Sequence, residues 1–305
     1  MKTYGLPYKG SKDKICSQIC SLFPIKENFY DLFMGGGSIT HYQLLQNQYK
    51  NYYANDFNPL VVKAFEMAIH GKFKNETRWI SHEEFDKLKD TDPYVAFCFS
   101  FGNDLKSYAY GKDVEPYKKA LHYLVVFQDE SLMKEIFPNV DFSFVHEIKD
   151  VNERRLKVKK VIDDLLITSD DNRIRSNESL QSFIQLESCQ RLASIERLAI
   201  YNKSYDEIEI KPNSVIYCDI PYKSTNKYEI SKDFDYEKFY DWCERQTELC
   251  FISEYSMPKD RFTCIAEIEH RSIICANENQ SVIERVFLPN HQVKDYKIPS
   301  LFDMM

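Results

Sequence analysis

The residues Asp219-Ile220-Pro221-Tyr222 have the chemistry needed to act on a planar amine. An exocyclic adenine amine is a poor nucleophile because its lone pair is delocalised into the ring. A carboxylate at Asp219 and the backbone carbonyl of Ile220 supply two acceptors for its two N–H bonds. Held in that way, the nitrogen tends to become pyramidal and its lone pair is freed for attack. Pro221 stiffens the turn so that the carbonyl points inward. Tyr222 offers a ring on which a base can stack, a contact worth roughly 1–3 kcal/mol. As a bare string the segment also fits a strand ending in a proline turn, and only its chemistry singles it out.

A second group lies near the N-terminus. Asp31-Leu32-Phe33-Met34-Gly35-Gly36-Gly37-Ser38 places glycines directly after an apolar run, where backbone can approach a ligand closely and open a helix. The spacing is not G-x-G-x-x-G, so it is a poor dinucleotide fingerprint. Asp56 follows about twenty residues on, where an acid suits the ribose hydroxyls of an adenosine ligand. Tyr8-Lys9-Gly10-Ser11-Lys12 reads alone as a polar loop; beside the other two segments it supplies an aromatic face at Tyr8 and an ammonium at Lys12 for a cofactor carboxylate.

The elements that must carry these residues alternate between strand and helix. NFYDLF reads as a buried strand, SITHYQLLQNQ as a helix and KNYYANDF as a second strand; Asn58-Pro59 opens the next helix with a good cap and a proline at its first position. Ser81 and Glu84 resemble a capping box for a helix through Leu88. An aromatic stretch, DPYVAFCFSFGNDLKSYAYG, and charged, mostly helical sequence continue to about residue 178. Leu180, Phe183, Leu186, Cys189, Leu192, Ile195 and Leu198 then recur every third residue. That period fits either a helix buried on several sides or a short solenoid-like coil. Strand–helix alternation returns with LAIYNKSYDEI, SVIYCDIPY, FDYEKFYDWCERQ and LCFISEYS, and a hairpin runs from HRSIICA through Asn277-Glu278-Asn279 to SVIERVFLP. The pattern predicts an α/β fold with a parallel sheet. Its core is built from residues 1–71 and 197–292, with 72–196 inserted as a second domain and 293–305 as a tail.

With 305 residues there is room for a core and a smaller domain. No apolar run approaches ~18 residues and no signal core is present, so a cytoplasmic protein without a membrane span is expected. Nine cysteines without a C-x-x-C pair read as reduced, mostly buried thiols rather than metal ligands. The net charge of −7 is awkward for a nucleic-acid partner, which needs local Lys and Arg. Basic residues cluster at Arg154, Arg155, Lys157, Lys159 and Lys160, and again at Arg173 and Arg175; a solvated helix face explains either cluster equally well.

Taken in order, YKGSK, DLFMGGGS, ANDFNP and YCDIPYKST make the chain resemble the Dam-type adenine DNA methyltransferases, whose target-recognition domain lies between the cofactor motif and the catalytic motif. FISEYSMP and ERVFLP are similar to that family's closing strands, and FSFGNDLKSYAYG sits where the family has a DNA-contacting segment. The resemblance covers about residues 4–70 and 198–290. It implies a Rossmann-like core dependent on S-adenosyl-L-methionine, with a mostly helical inserted target-recognition domain. It further implies cofactor contacts at Tyr8, Lys12, Asp56 and Asp219, with Asp31 and the loop of Gly35 and Gly37 holding the methionine part and Tyr205 near the cofactor adenine. Asp219, Ile220, Pro221 and Tyr222 would be the catalytic motif, although the family usually has a second proline where this chain has Ile220.

The implied reaction is direct transfer to N6 of a flipped-out adenine in double-stranded DNA, with no metal and no covalent enzyme intermediate. DNA contacts are expected from Asn103, Lys106, Arg154, Arg155 and Lys157, in an enzyme acting as a monomer. The rival readings are an amine methyltransferase for cytosine N4, RNA adenine or protein glutamine, a nicotinamide dehydrogenase, and an inactive DNA-binding module. The tail Ile298-Pro299-Ser300-Leu301-Phe302-Asp303 resembles bacterial sliding-clamp binding tails, against the simpler and favoured reading of a disordered or self-packed end.

Overall fold

Seven strands form a single sheet in the order β3-β2-β1-β4-β5-β7-β6. They are β1 (Asn28–Asp31), β2 (Asn51–Asn55), β3 (Leu198–Tyr201), β4 (Ser214–Asp219), β5 (Leu249–Glu254), β6 (Phe262–Arg271) and β7 (Ser281–Pro289). The structure is a computed structural model, and the residues it describes are 4–74, 76–165, 178–188, 195–223, 234–271 and 281–297. The tail motif at 298–303, the hairpin tip at 277–279, Arg173, Arg175, Cys189 and Leu192 lie outside them. The first five strands pair in parallel, while β7 runs antiparallel to both β5 and β6. The result is a mixed α/β fold built on a seven-stranded, mostly parallel sheet.

The chain divides into two compact units. One comprises Met1–Gly5, Gly10–Ile69 and Arg191–Met305, and the other Leu6–Lys9 and His70–Gln190. The sheet belongs to the first unit, with helices α1 (Cys16–Cys20), α2 (Ser38–Gln46) and α3 (Pro59–Ile69). Both faces of the sheet are covered, as parallel strands require. On one face Tyr30, Ile216, Cys218 and Ile252 pack with Phe239, Tyr240 and Trp242 of a later helix of this unit, Tyr236–Glu244. On the other, Phe23 packs against Phe29, Tyr217 and Phe251.

The second unit is helical among its described residues. Its helices are α4 (His82–Leu88), α5 (Pro93–Phe99), α6 (Glu115–His122), α7 (Ser131–Ile136), α8 (Val151–Leu165) and α9 (Glu178–Ser188); the Tyr236–Glu244 helix of the first unit is α10. Ser81 and Glu84 form the reciprocal capping box at the start of α4. The period-three segment is a regular helix over Glu178–Ser188 that buries Leu180 and Phe183. The core of this unit gathers Leu121, Leu124, Met133, Phe142, Val158 and Ile162. No helix among the described residues is long and apolar enough to cross a membrane.

Gly37 caps α2 in the left-handed conformation, with φ at +71°, and a Cβ there would sit 2.5 Å from the Phe65 ring. Phe65 is fully buried in α3 and has nowhere to move. Gly37→Ala is therefore expected to cost about 1–3 kcal/mol, measured as a fall in Tm by circular dichroism; an unchanged Tm would show that the loop relaxes freely.

Candidate active site

Strand order reverses between β1 and β4, and open α/β sheets bind ligands outside the carboxyl ends of the strands at such a point. Asp31 ends β1 and Asp219 ends β4. Side chains alternate along a strand, so Phe29 and Asp31 share a face, as do Tyr217 and Asp219. The buried hydrogen bond between the Tyr217 and Ser253 hydroxyls carries that face onto β5, and Ser253 pairs with Val286 on β7. Glu284, two residues earlier on β7, thus points to the same side. The acids converge because of register, although they are far apart in sequence.

Asp31 is buried, and its Oδ2 accepts a hydrogen bond of 2.7 Å from Thr40 of α2. Its Oδ1 is buried without a partner. Burial pushes this carboxyl up to about 7; Thr40 opposes the shift, and Asp219 and Asp56 add to it. The glycine loop beyond is held from several directions. Gly37 N donates to Met34 O at 2.7 Å and Met34 N to Asn55 O at 2.9 Å. Asp56 accepts from Gly35 N and Asn58 N, both at 2.8 Å. Asp56 thus ties the loop to the end of β2 and the start of α3, and burial raises its pKa against those hydrogen bonds. Tyr205 stacks on Phe33 of the same loop at 5.4 Å, and its buried hydroxyl has no partner.

The densest electrostatics surround Asp219. Lys12 Nζ lies 2.9 Å from Asp219 Oδ1, 3.9 Å from Glu284 Oε2 and 4.8 Å from the centre of the Tyr222 ring. Burial works to lower the lysine pKa, but the two carboxylates outweigh it and hold the ammonium above its ordinary value. Burial likewise raises Asp219; Lys12 opposes this and Glu284 reinforces it. The Tyr222 hydroxyl donates to Glu284, and its ring meets Tyr255 edge-on at 4.5 Å. Ile220 is buried in the core cluster, and the carbonyl of Pro221 accepts from the Tyr236 hydroxyl at 2.8 Å. Glu254, at the end of β5, accepts from Lys223 N at 2.9 Å and so fixes the chain just past the motif.

Lys12, Asp31, Gly35, Gly37, Asp56, Tyr205 and Asp219–Tyr222 all belong to the first unit. Tyr8 belongs to the second, where its ring stacks on Phe97 at 6.1 Å. Sequence reasoning missed Glu284, Glu254, Thr40 and Tyr236. The signal for Glu284 was present, as a carboxylate in the apolar run SVIERVFLP is hard to bury without a purpose.

The basic cluster on α8 does not behave as one surface. Arg154 is a correction: it is buried, and its guanidinium donates to the carbonyls of Val125 and Ile148, both at 2.7 Å, and of Lys149 at 3.1 Å. Arg154, Val158 and Ile162 fall on one helical face, and that face turns inward. Arg155 bonds Asn152 of its own helix, and Lys159 pairs with Asp163 at 2.6 Å. Lys157 and Lys160 are exposed, with the Lys157 ammonium over the Phe144 ring. Asn103 is also structural in part: its amide donates to Phe97 O at 3.0 Å and Ser182 Oγ at 2.9 Å. Lys106 is exposed. Of the described cysteines, six are buried free thiols and Cys264 is exposed. No group of residues among those described could hold a metal ion.

Residues 8–165 match the family model described as D12 class N6 adenine-specific DNA methyltransferase, a stretch covering more than half of the chain. A comparison with curated proteins returned no match.

Two consequences can be measured. Because the folded-state pKa of Asp31 is raised from 3.8 to about 7, its contribution to stability is complete below the ordinary carboxylate range and is lost as pH rises through about 7. Asp31→Asn cannot ionise, so its Tm should exceed that of the native chain at pH 8 and lose that advantage towards pH 4; equal pH profiles would refute the assignment. Arg154→Ala strands buried carbonyls and should cost about 2–4 kcal/mol in urea denaturation. Lys160→Ala should stay within about 0.5 kcal/mol, and equal effects would mean that Arg154 is not structural.

Proposed function

The chain belongs to the D12 class N6 adenine-specific DNA methyltransferase family, and from that premise we propose how its residues carry out the reaction. The enzyme transfers a methyl group from S-adenosyl-L-methionine to N6 of adenine in double-stranded DNA. The bound cofactor supplies an electrophilic methyl group on a cationic sulfur. The residues present fit such a ligand, since the buried, unpartnered Oδ1 of Asp31 suits a positive group beside the glycine loop. Asp31, Gly35 and Gly37 hold the methionine part. Asp56 sets the loop and faces the ribose, and Tyr205 and Phe33 lie towards the adenine.

The observation that carries the reading is the placement of Asp219 at the end of β4, at the strand reversal, with Lys12 at 2.9 Å and Tyr222 beside it. The target amine cannot reach a strand-end pocket from inside a base stack, so the adenine flips out of the duplex. Tyr222 stacks on it, while Asp219 and the Ile220 carbonyl accept its two N–H bonds. Catalysis is positioning and preorganised charge. The core is a Rossmann-like methyltransferase domain, and the helical second unit is its inserted target-recognition domain. The exposed Lys106, Lys157 and Lys160 of that unit support phosphate contacts, which supply most non-specific affinity.

Asp219→Ala should lower methyl transfer by ~10²–10³ or more and weaken DNA binding far less. With 2-aminopurine at the target position, Tyr222→Ala should reduce the fluorescence rise that accompanies unstacking, whereas Tyr222→Phe should retain most of it. Unaltered methyl transfer in both Asp219→Ala and Tyr222→Ala would remove this motif from catalysis.

A further inference from the structure

The structure contains a buried carboxylate that substrate and cofactor binding leave without a role. Glu284 is 2% exposed on β7, in the mostly apolar strand SVIERVFLP. Burying a carboxylate is expensive unless something compensates. The titratable groups around it are Lys12, Tyr217, Asp219, Tyr222, Glu254 and Tyr255. Among the described residues Tyr222 gives it a hydrogen bond, and Lys12 stands off at 3.9 Å.

The reaction makes a proton that must go somewhere. As the nitrogen lone pair forms the new N–C bond, the C–S bond breaks with its electron pair going to sulfur, and the substituted nitrogen must release one proton. Asp219 is the nearest base. Lys12 cannot serve, because its ammonium is already protonated and is held so by two carboxylates. If the proton stayed on Asp219, that side chain would lose acceptor capacity for the next amine.

We propose that Tyr222 and Glu284 form a proton relay leading away from Asp219, with Glu284 as its terminal base. The inference rests on the reading that Asp219 binds the target amine. The Tyr222 hydroxyl donates to Glu284 and lies close enough to Asp219 to oppose the rise in its pKa; once Asp219 is protonated, the phenolic oxygen is free to accept from it. Asp219 passes its acquired proton to the phenolic oxygen while the phenolic proton moves to Glu284. Tyr222 is unchanged at the end, Asp219 is again a carboxylate, and Glu284 holds the proton until the product leaves, when it returns through Tyr222 to the more exposed Asp219 and from there to solvent. The Asp219 side chain is 21% exposed and that of Glu284 2%, so the relay carries the proton off the exposed face where the base must enter.

The test compares single-turnover methyl transfer, from pH 6 to 9, in the full-length native enzyme, Glu284→Gln, Tyr222→Phe and the double variant. Glutamine keeps an oxygen to accept from Tyr222, so the ring stays in place while the charge and basicity of the side chain are lost. Glu284→Gln should slow transfer about tenfold or more, with dissociation constants for S-adenosyl-L-methionine and DNA unchanged. The deficit should shrink as hydroxide replaces the lost base at high pH. Tyr222→Phe should show the same deficit, and the double variant should fall no further, because both steps belong to one path. A native rate in Glu284→Gln, a deficit constant with pH, or losses that multiply in the double variant would each overturn the relay. Asp219→Ala is measured alongside. If it transfers at the native rate, the amine-binding reading itself fails; if it is inactive while Glu284→Gln is fully active, only the relay fails. Should Glu284→Gln unfold at the assay temperature, Tyr222→Phe carries the test alone, as it removes the relay hydroxyl and keeps the ring.

Discussion

The ion pair of Lys12 with Asp219, closed at 2.9 Å in a buried setting, is the interaction on which the rest of the site depends. Asp31, Asp219, Glu254 and Glu284 crowd the ends of three neighbouring strands and β7. Acids gathered out of water repel one another and tend to take up protons. One ammonium between two of them offsets that tendency, and its stem is buried as well. Lysine suits the position better than arginine would, since a compact charge on a long stem can sit between two carboxylates and above a tyrosine ring.

That arrangement requires a sheet. Lys12 precedes the first helix, Asp219 is more than two hundred residues later, and Glu284 comes from β7, which runs antiparallel to both of its neighbours. Antiparallel insertion of β7 beside β5 brings its N-terminal half, and with it Glu284, to the end where the parallel strands finish. A parallel strand in the same place would have delivered its carboxyl end there instead.

Much of this was legible in the residues before any coordinates. The strand ending in Asp219-Ile220-Pro221-Tyr222, the glycine loop after β1 and the caps of α3 and α4 rely on local signals, and they read correctly as local structure. The failures were non-local. Arg154 looked like its basic neighbours, and only the helical phase set by Val158 and Ile162 turns it inward onto the carbonyls of another segment. Asn103 looked available for DNA, but its amide is taken up by Phe97 and Ser182. Glu284 gained its meaning from register with β5, which no window along the chain contains. The period-three stretch was ambiguous because a strict repeat of three drifts around an α-helix of 3.6 residues per turn; where it is described it is an α-helix over Glu178–Ser188, a 3-10 turn at Ile195–Arg197 and, at Leu198, the start of β3.

Ile220 stands where the resembled family usually has proline, which would lock the turn from within. Here the lock is external: the Ile220 side chain is packed into the core and the Tyr236 hydroxyl of α10 holds the Pro221 carbonyl. A proline keeps its shape even in a loosened chain, whereas a packed isoleucine and a borrowed hydroxyl keep theirs only while α10 is docked. The geometry of the turn at Ile220 and Pro221 is thereby tied to the local opening of one nine-residue helix. Local undocking of α10 on warming would release this turn without any need to unfold the sheet.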